Sequence, residues 1–152
     1  MPTQSFSIRI CNWEQAHAEA RRIRELVFVQ EQGVPPELEM DEHDAHCDHA
    51  LAHAADGRAV GTGRLLPDGH IGRMAVLKEC RASGVGALLL QALVEQARKR
   101  GHATARLNAQ SYAAGFYRRF GFEIAGAEFM EAGIPHVAMQ RNLVSARGES
   151  AD

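Results

Sequence analysis

The stretch Val76-Leu77-Lys78-Glu79-Cys80-Arg81-Ala82-Ser83-Gly84-Val85-Gly86-Ala87 decides the fold. A strand-like run ends, a short loop carries Arg81, and a helix opens on two glycines. The first turn of a helix has N–H groups without intrahelical partners and the positive end of the macrodipole. Glycines lacking a Cβ let a bulky anion approach that backbone. Arg81 adds a fixed charge with a forked donor set. The turn therefore reads as a diphosphate site. No Lys-Ser or Lys-Thr follows the glycines, so it is not a P-loop. Gly61-Thr62-Gly63 has Leu66 in place of the third glycine of a dinucleotide fingerprint. The plain alternative is a helix that starts with glycines for close packing.

Outward from the turn, short elements alternate. Phe6–Ile10 has the apolar–polar alternation of a half-buried strand. Asn12 resembles an N-cap with Gln15 in the capping-box position, and Ala16, Ala20, Ile23 and Val27 follow at helical spacing. Gly33, Pro35 and Pro36 stop that helix. Residues 35–47 are acidic and without period, a loop with one helical turn. Strand-like runs at 49–55, 59–66 and 71–77 are separated by Asp56-Gly57 and Asp68-Gly69, the strong hairpin signal. A helix over 84–100, with Gly101 after it, precedes a strand at 104–109. A short helix over 111–120 and two strands, 122–131 and 137–143, complete the chain. A helix between strands 71–77 and 104–109 requires a parallel crossover in an otherwise antiparallel sheet. The expected fold class is α/β (α+β mixed), with about seven strands in a mostly antiparallel twisted sheet and about four flanking helices. Residues 1–144 form the single domain and 145–152 a flexible tail.

A chain of 152 residues, 45% hydrophobic and 24% charged, suits one core. Its net charge of -2 argues against a general nucleic-acid-binding surface. The N-terminal residues do not read as a signal peptide. The longest nearly apolar stretch, 84–94, is far short of the ~20 residues that span a bilayer. Three cysteines without paired spacing, Cys11, Cys47 and Cys80, point to free thiols and a cytoplasmic location.

With Arg81-x-x-Gly84-x-Gly86 and, after Asn108, the run Phe116-Tyr117-Arg118-Arg119-Phe120-Gly121-Phe122, the sequence resembles the GNAT acetyltransferase superfamily over about residues 6–143. Val27–Gln32, Glu39-Met40-Asp41-Glu42, Asn108-Ala109-Gln110 and Gly133-Ile134-Pro135-His136 resemble a subgroup of short stand-alone bacterial members with no settled substrate. The resemblance implies acetyl-CoA as co-substrate. Met74, Ala75 and Val76 would line the pantetheine arm, and Arg81, Ala82, Ser83, Gly84, Val85, Gly86 and Ala87 would wrap the pyrophosphate. Asn108 would contact the pantetheine or acetyl end, Phe116 would also belong to the cofactor-binding set, and Tyr117 would face the CoA sulfur.

The implied reaction is direct attack by a primary amine, of a small molecule or a protein, on the thioester. An amine of pKa ~10.4 is neutral in only about one molecule in 2,500 at pH 7, so a base is useful. Glu31, Asp41, Glu42, His43 and His136 are candidates, with Glu31 and His136 preferred; each also has an ordinary reading, as a solvated or a hydrogen-bonded side chain. Tyr117 is either the acid for the thiolate or a core aromatic on one stripe with Phe116 and Phe120. A non-catalytic acyl-CoA-binding module is the alternative function. His43, His46, Cys47, His49 and His53 crowd together without a metal-site frame, and no metal is expected. The run Glu37, Glu39, Asp41, Glu42, Asp44 reads as a solvated loop, or as an attractor of a cationic amine. No nucleic acid or membrane partner is expected, and the chain is taken as a monomer or homodimer.

Overall fold

A computed structural model describes residues 5–39 and 41–143. Met40 and the expected tail, 145–152, lie outside the described residues. The strands are β1 (Phe6–Cys11), β2 (Asp48–Ala54), β3 (Ala59–Leu65), β4 (His70–Val76), β5 (Thr104–Gln110), β6 (Glu123–Ile124), β7 (Phe129–Glu131) and β8 (Ile134–Asn142). The α-helices are α1 (Trp13–Arg24), α2 (Pro36–Glu39), α3 (Val85–Lys99) and α4 (Ala114–Arg118). Among the described residues the strands form one sheet in the order β1-β2-β3-β4-β5-β8-β6, with β7 also on β8. Only β4 and β5 run parallel, as the crossover through α3 requires.

Local chemistry explains most boundaries. The Gln15 N–H donates to Asn12 Oδ1 at 2.9 Å and the Asn12 N–H to Gln15 Oε1 at 3.2 Å, so the capping box at the start of α1 is complete. Gly61 and Gly63 of β3 serve packing: a Cβ there would meet Leu89 at 2.9 Å and Leu93 at 2.7 Å, so their absence lets α3 close onto the sheet. Leu89, Leu90 and Leu93 are fully buried in the main core between α3 and the sheet. No helix among the described residues is long and apolar enough to cross a membrane.

Three expectations are corrected. The first helix does not run evenly to Gly33; a π-helical stretch, Glu25–Glu31, follows α1. The single strand expected over 122–131 is two, β6 and β7, which makes eight strands. From Ile124↔Met139 to Phe129↔His136, five steps of one chain cover three of β8, and the surplus bulges out around Gly126. The acidic loop is not solvated throughout. Glu39 and Asp44 are buried, and with Asp41 they join Arg24, Arg64 and Arg73 in a ring of six alternating charges. Asp44 bridges Arg24 (2.9 Å) and Arg64 (2.8 Å), Asp41 bridges Arg64 (2.8 Å) and Arg73 (3.3 Å), and Glu39 bridges Arg24 and Arg73 (3.7 Å). The ring fastens residues 36–46 to α1, β3 and β4.

Candidate active site

The site begins where β4 and β5 part. Their pairing is confined to His70↔Arg106 and Ile71↔Leu107. Just beyond, the register of β4 against β3 slips, and Arg73 has φ 49°, a left-handed conformation rare for a non-glycine residue. The bulge turns β4 away from β5 and opens a cleft of about 530 Å³. Met74, Asn108, Tyr117 and His136 all line it, so four of the sequence-selected residues converge. Phe28, Arg73 and Tyr112 line it too and were missed: Phe28 lies in the unforeseen π-helical stretch, and nothing in the sequence marks the Arg73 bulge.

Of the five candidate bases, His136 alone lines the cleft. It is buried, and its Nδ1–H donates to the Ile134 carbonyl at 2.7 Å. That bond leaves Nε2 of the neutral ring with the lone pair. Phe129 stacks on the imidazole at 5.9 Å. Tyr117 is half-buried with Phe116 edge-on at 5.1 Å. Burial pushes its phenol up to about 12, so it is a proton donor at neutral pH. The sequence alternatives for Tyr117, acid or core aromatic, thus share one position: the ring packs, and it also lines the cleft.

Glu31 lies elsewhere. It makes a side-on pair with Arg81, at 2.5 and 2.6 Å, and that hydrogen-bonded guanidinium holds its carboxyl below the usual range. Asp41 is taken up in the charge ring, where hydrogen bonding to Arg64 holds it far down, and Glu42 and His43 are exposed.

The turn after β4 has an unusual backbone. Ala82 and Gly84 have φ 67° and 91°, and such left-handed residues turn successive N–H groups to one concave side. The Ser83 hydroxyl donates back to the Cys80 carbonyl. A Cβ on Gly84 would meet nothing within 4 Å, and one on Gly86 would face Phe116 at 3.8 Å and Val76 at 3.9 Å. Val85 is buried in the core, while Ala82 and Gly84 are exposed. The Arg81 guanidinium braces the turn: its Nε donates to the Val76 carbonyl at 3.0 Å while both Nη atoms hold Glu31. The Leu77 N–H is turned to Val60 of β3, so by strand alternation the Val76 N–H points away from β3. Ala75 pairs with Thr62 of β3 and is buried.

Residues 18–143 match the family model of the acetyltransferase (GNAT) domain. The chain belongs to the GNAT family. This GNAT chain is 39% identical over 131 residues to the uncharacterized protein YyaT of Bacillus subtilis, covering 82% of this chain and 88% of the relative. It is 38% identical over 133 residues to the uncharacterized N-acetyltransferase YjcF of the same organism, covering 85% and 94%. Among solved structures, Escherichia coli ElaA superposes with TM-score 0.81 at 26% identity, covering 91% of this chain and all of that one (100%). An acyl-CoA N-acyltransferase from Pseudomonas aeruginosa gives 0.77 at 26% identity, covering 89% and 99%. The GNAT chain is thus an acyltransferase of the N-acetyltransferase type rather than a non-catalytic binding module.

The histidine cluster has other partners. His49 is buried with Nε2 on the Asp44 carbonyl at 2.9 Å, and the Cys47 thiol donates to the His43 carbonyl at 3.2 Å. Among the described residues no three His, Cys, Asp or Glu side chains converge to hold a metal ion. Burial pushes the Cys47 thiol up to about 11, so it is not a thiolate nucleophile at neutral pH.

Proposed function

We propose that the chain acetylates a primary amine by direct attack on acetyl-CoA in a ternary complex. The observation that carries this is the convergence of His136, Tyr117, Asn108 and Met74 in the cleft opened by the β4 bulge. Acetyl-CoA supplies an activated thioester. Ala82 to Ala87 hold its pyrophosphate on the exposed N–H groups of the turn and of α3. Met74 and Val76 offer main chain to the pantetheine arm, and Asn108 and Phe116 flank its acyl end. His136 Nε2 takes the proton of the attacking amine. The Val76 N–H donates to the oxygen that gains charge. The C–N bond forms, the C–S bond breaks, and the Tyr117 hydroxyl gives its proton to the departing thiolate.

Arg81 acts here as a brace for the turn, and Glu31 as the partner that orients it. Gly84→Val places a branched side chain at φ 91° and in the space open to phosphate. Calorimetry should show the Kd for acetyl-CoA rising at least about tenfold in Gly84→Val and about tenfold in Arg81→Ala, with the fold retained. Unchanged affinity in both would remove the pyrophosphate assignment. Glu31→Gln should weaken acetyl-CoA binding only about threefold and keep kcat within about threefold, because one exposed ion pair contributes little. A collapse of kcat at unchanged acetyl-CoA affinity would instead make Glu31 the base.

A further inference from the structure

The acceptor end of the cleft limits what the amine can carry. We infer that the acceptor is a primary monoamine with an apolar, aromatic body; this rests on the acetyl-transfer reading above.

Glu39 and Glu131 are the carboxylates that line the cleft among the described residues. Glu39 is buried and bound by Arg24, and Arg73 lies 3.7 Å away. Asp41 and Asp44, behind it, are each shared by two arginines. Glu131 stands exposed at the rim, where an ion pair with a mobile ammonium adds little. The cations Arg64 and Arg73 line the same wall. A second ammonium on the acceptor would therefore find a charge ring already neutralised and only the rim carboxylate of Glu131, and a polyamine or polyamino sugar fits poorly. Those classes need an acidic cleft, and here the acids are consumed within the fold.

Beside polar residues such as Gln32, Asn108 and Gln110, the lining includes the apolar Phe28, Val34, Leu38 and Ile134. Leu38 is 56% exposed and Tyr112 is 82% exposed, yet both line the cleft, as do Phe28 and Ile134. Large side chains left exposed around a concave site mark the surface that a ligand covers. Tyr112 offers a ring face to an aromatic group. On the polar wall, Gln110 Nε2 donates to Gln32 Oε1 at 3.0 Å, so the two amides hold each other in place.

The test compares kcat/KM, by release of the CoA thiol, for 2-phenylethylamine, spermidine and glucosamine at one pH and salt concentration. The 2-phenylethylamine value should exceed both others by about 100-fold, from burial of the ring. Leu38→Ala and Tyr112→Ala, at exposed positions the fold does not need, should each raise its KM about five- to tenfold. Spermidine or glucosamine turned over as well as 2-phenylethylamine overturns the proposal and leaves acetyl transfer standing. So does an unchanged KM in both variants. If none of the amines is acetylated while acetyl-CoA binds, the acetyl-transfer reading fails and takes this one with it.

Discussion

Asp44→Asn should lower the unfolding free energy by about 3–5 kcal/mol, the cost of breaking a buried ion pair while leaving its partners charged. Asp44 is 2% exposed and holds Arg24 at 2.9 and 3.1 Å and Arg64 at 2.8 Å. Without its charge two buried guanidinium groups lose half their neutralisation, and one of them, Arg64, already has an Nε without a partner. Urea unfolding at neutral pH reads the loss; a change below about 1 kcal/mol would show that the ring is no anchor. The pH dependence has a definite sign. Burial alone would raise the Asp44 carboxyl, but hydrogen bonds and charge from Arg24 and Arg64 outweigh it and hold it low. Asp41 is held low chiefly by its hydrogen bond to Arg64. A folded-state value below the unfolded ~3.9 adds stability that is complete above that value and lost as pH falls through and below it. Stability should therefore hold from neutral pH to about 5 and drop below about 4, and the gap between wild type and Asp44→Asn should narrow in acid.

Tyr117→Phe should cut kcat by about 10- to 100-fold and leave acetyl-CoA affinity unchanged. The thiolate, of pKa ~8.5, is already a fair leaving group, so the hydroxyl assists the reaction rather than permitting it. The ring keeps its packing against Phe116 and Phe122, which protects binding and fold. With the phenol pushed up to about 12 by burial, the donor stays protonated well above the ordinary tyrosine value of ~10. Wild-type activity should show no alkaline limb from Tyr117 below about pH 11. A variant with wild-type kcat would make Tyr117 a packing residue, with the thiolate taking its proton from water.

Much of this architecture was legible because its causes are local. Asn12 and Gln15 make a cap within one turn, Asp-Gly pairs make hairpins, and Gly84 stands at the left-handed start of α3. Asn108, Tyr117 and His136 were identified one by one, and the splay of β4 from β5 brings them together. What was not legible depends on distant partners. Glu39, Asp41 and Asp44 look like a solvated run because Arg24, Arg64 and Arg73 are scattered over three other elements. Glu31 looks like a base until Arg81, fifty residues on, claims both its oxygens. The left-handed Arg73 has no residue signal at all, because the strain of the bulge is imposed by the sheet around it.

We propose that one cleft binds acetyl-CoA and a primary amine together and joins them directly. The measurement that tests this most directly is the initial rate of CoA thiol release over a grid of concentrations of acetyl-CoA and whichever of the three amines is turned over fastest, with mass spectrometry of the product. Thiol release should depend on the amine, with an intersecting pattern of double-reciprocal lines and one N-acetyl amide formed per thiol. Parallel lines with an acetylated protein intermediate, or acetyl-CoA bound with no amide formed, would contradict it.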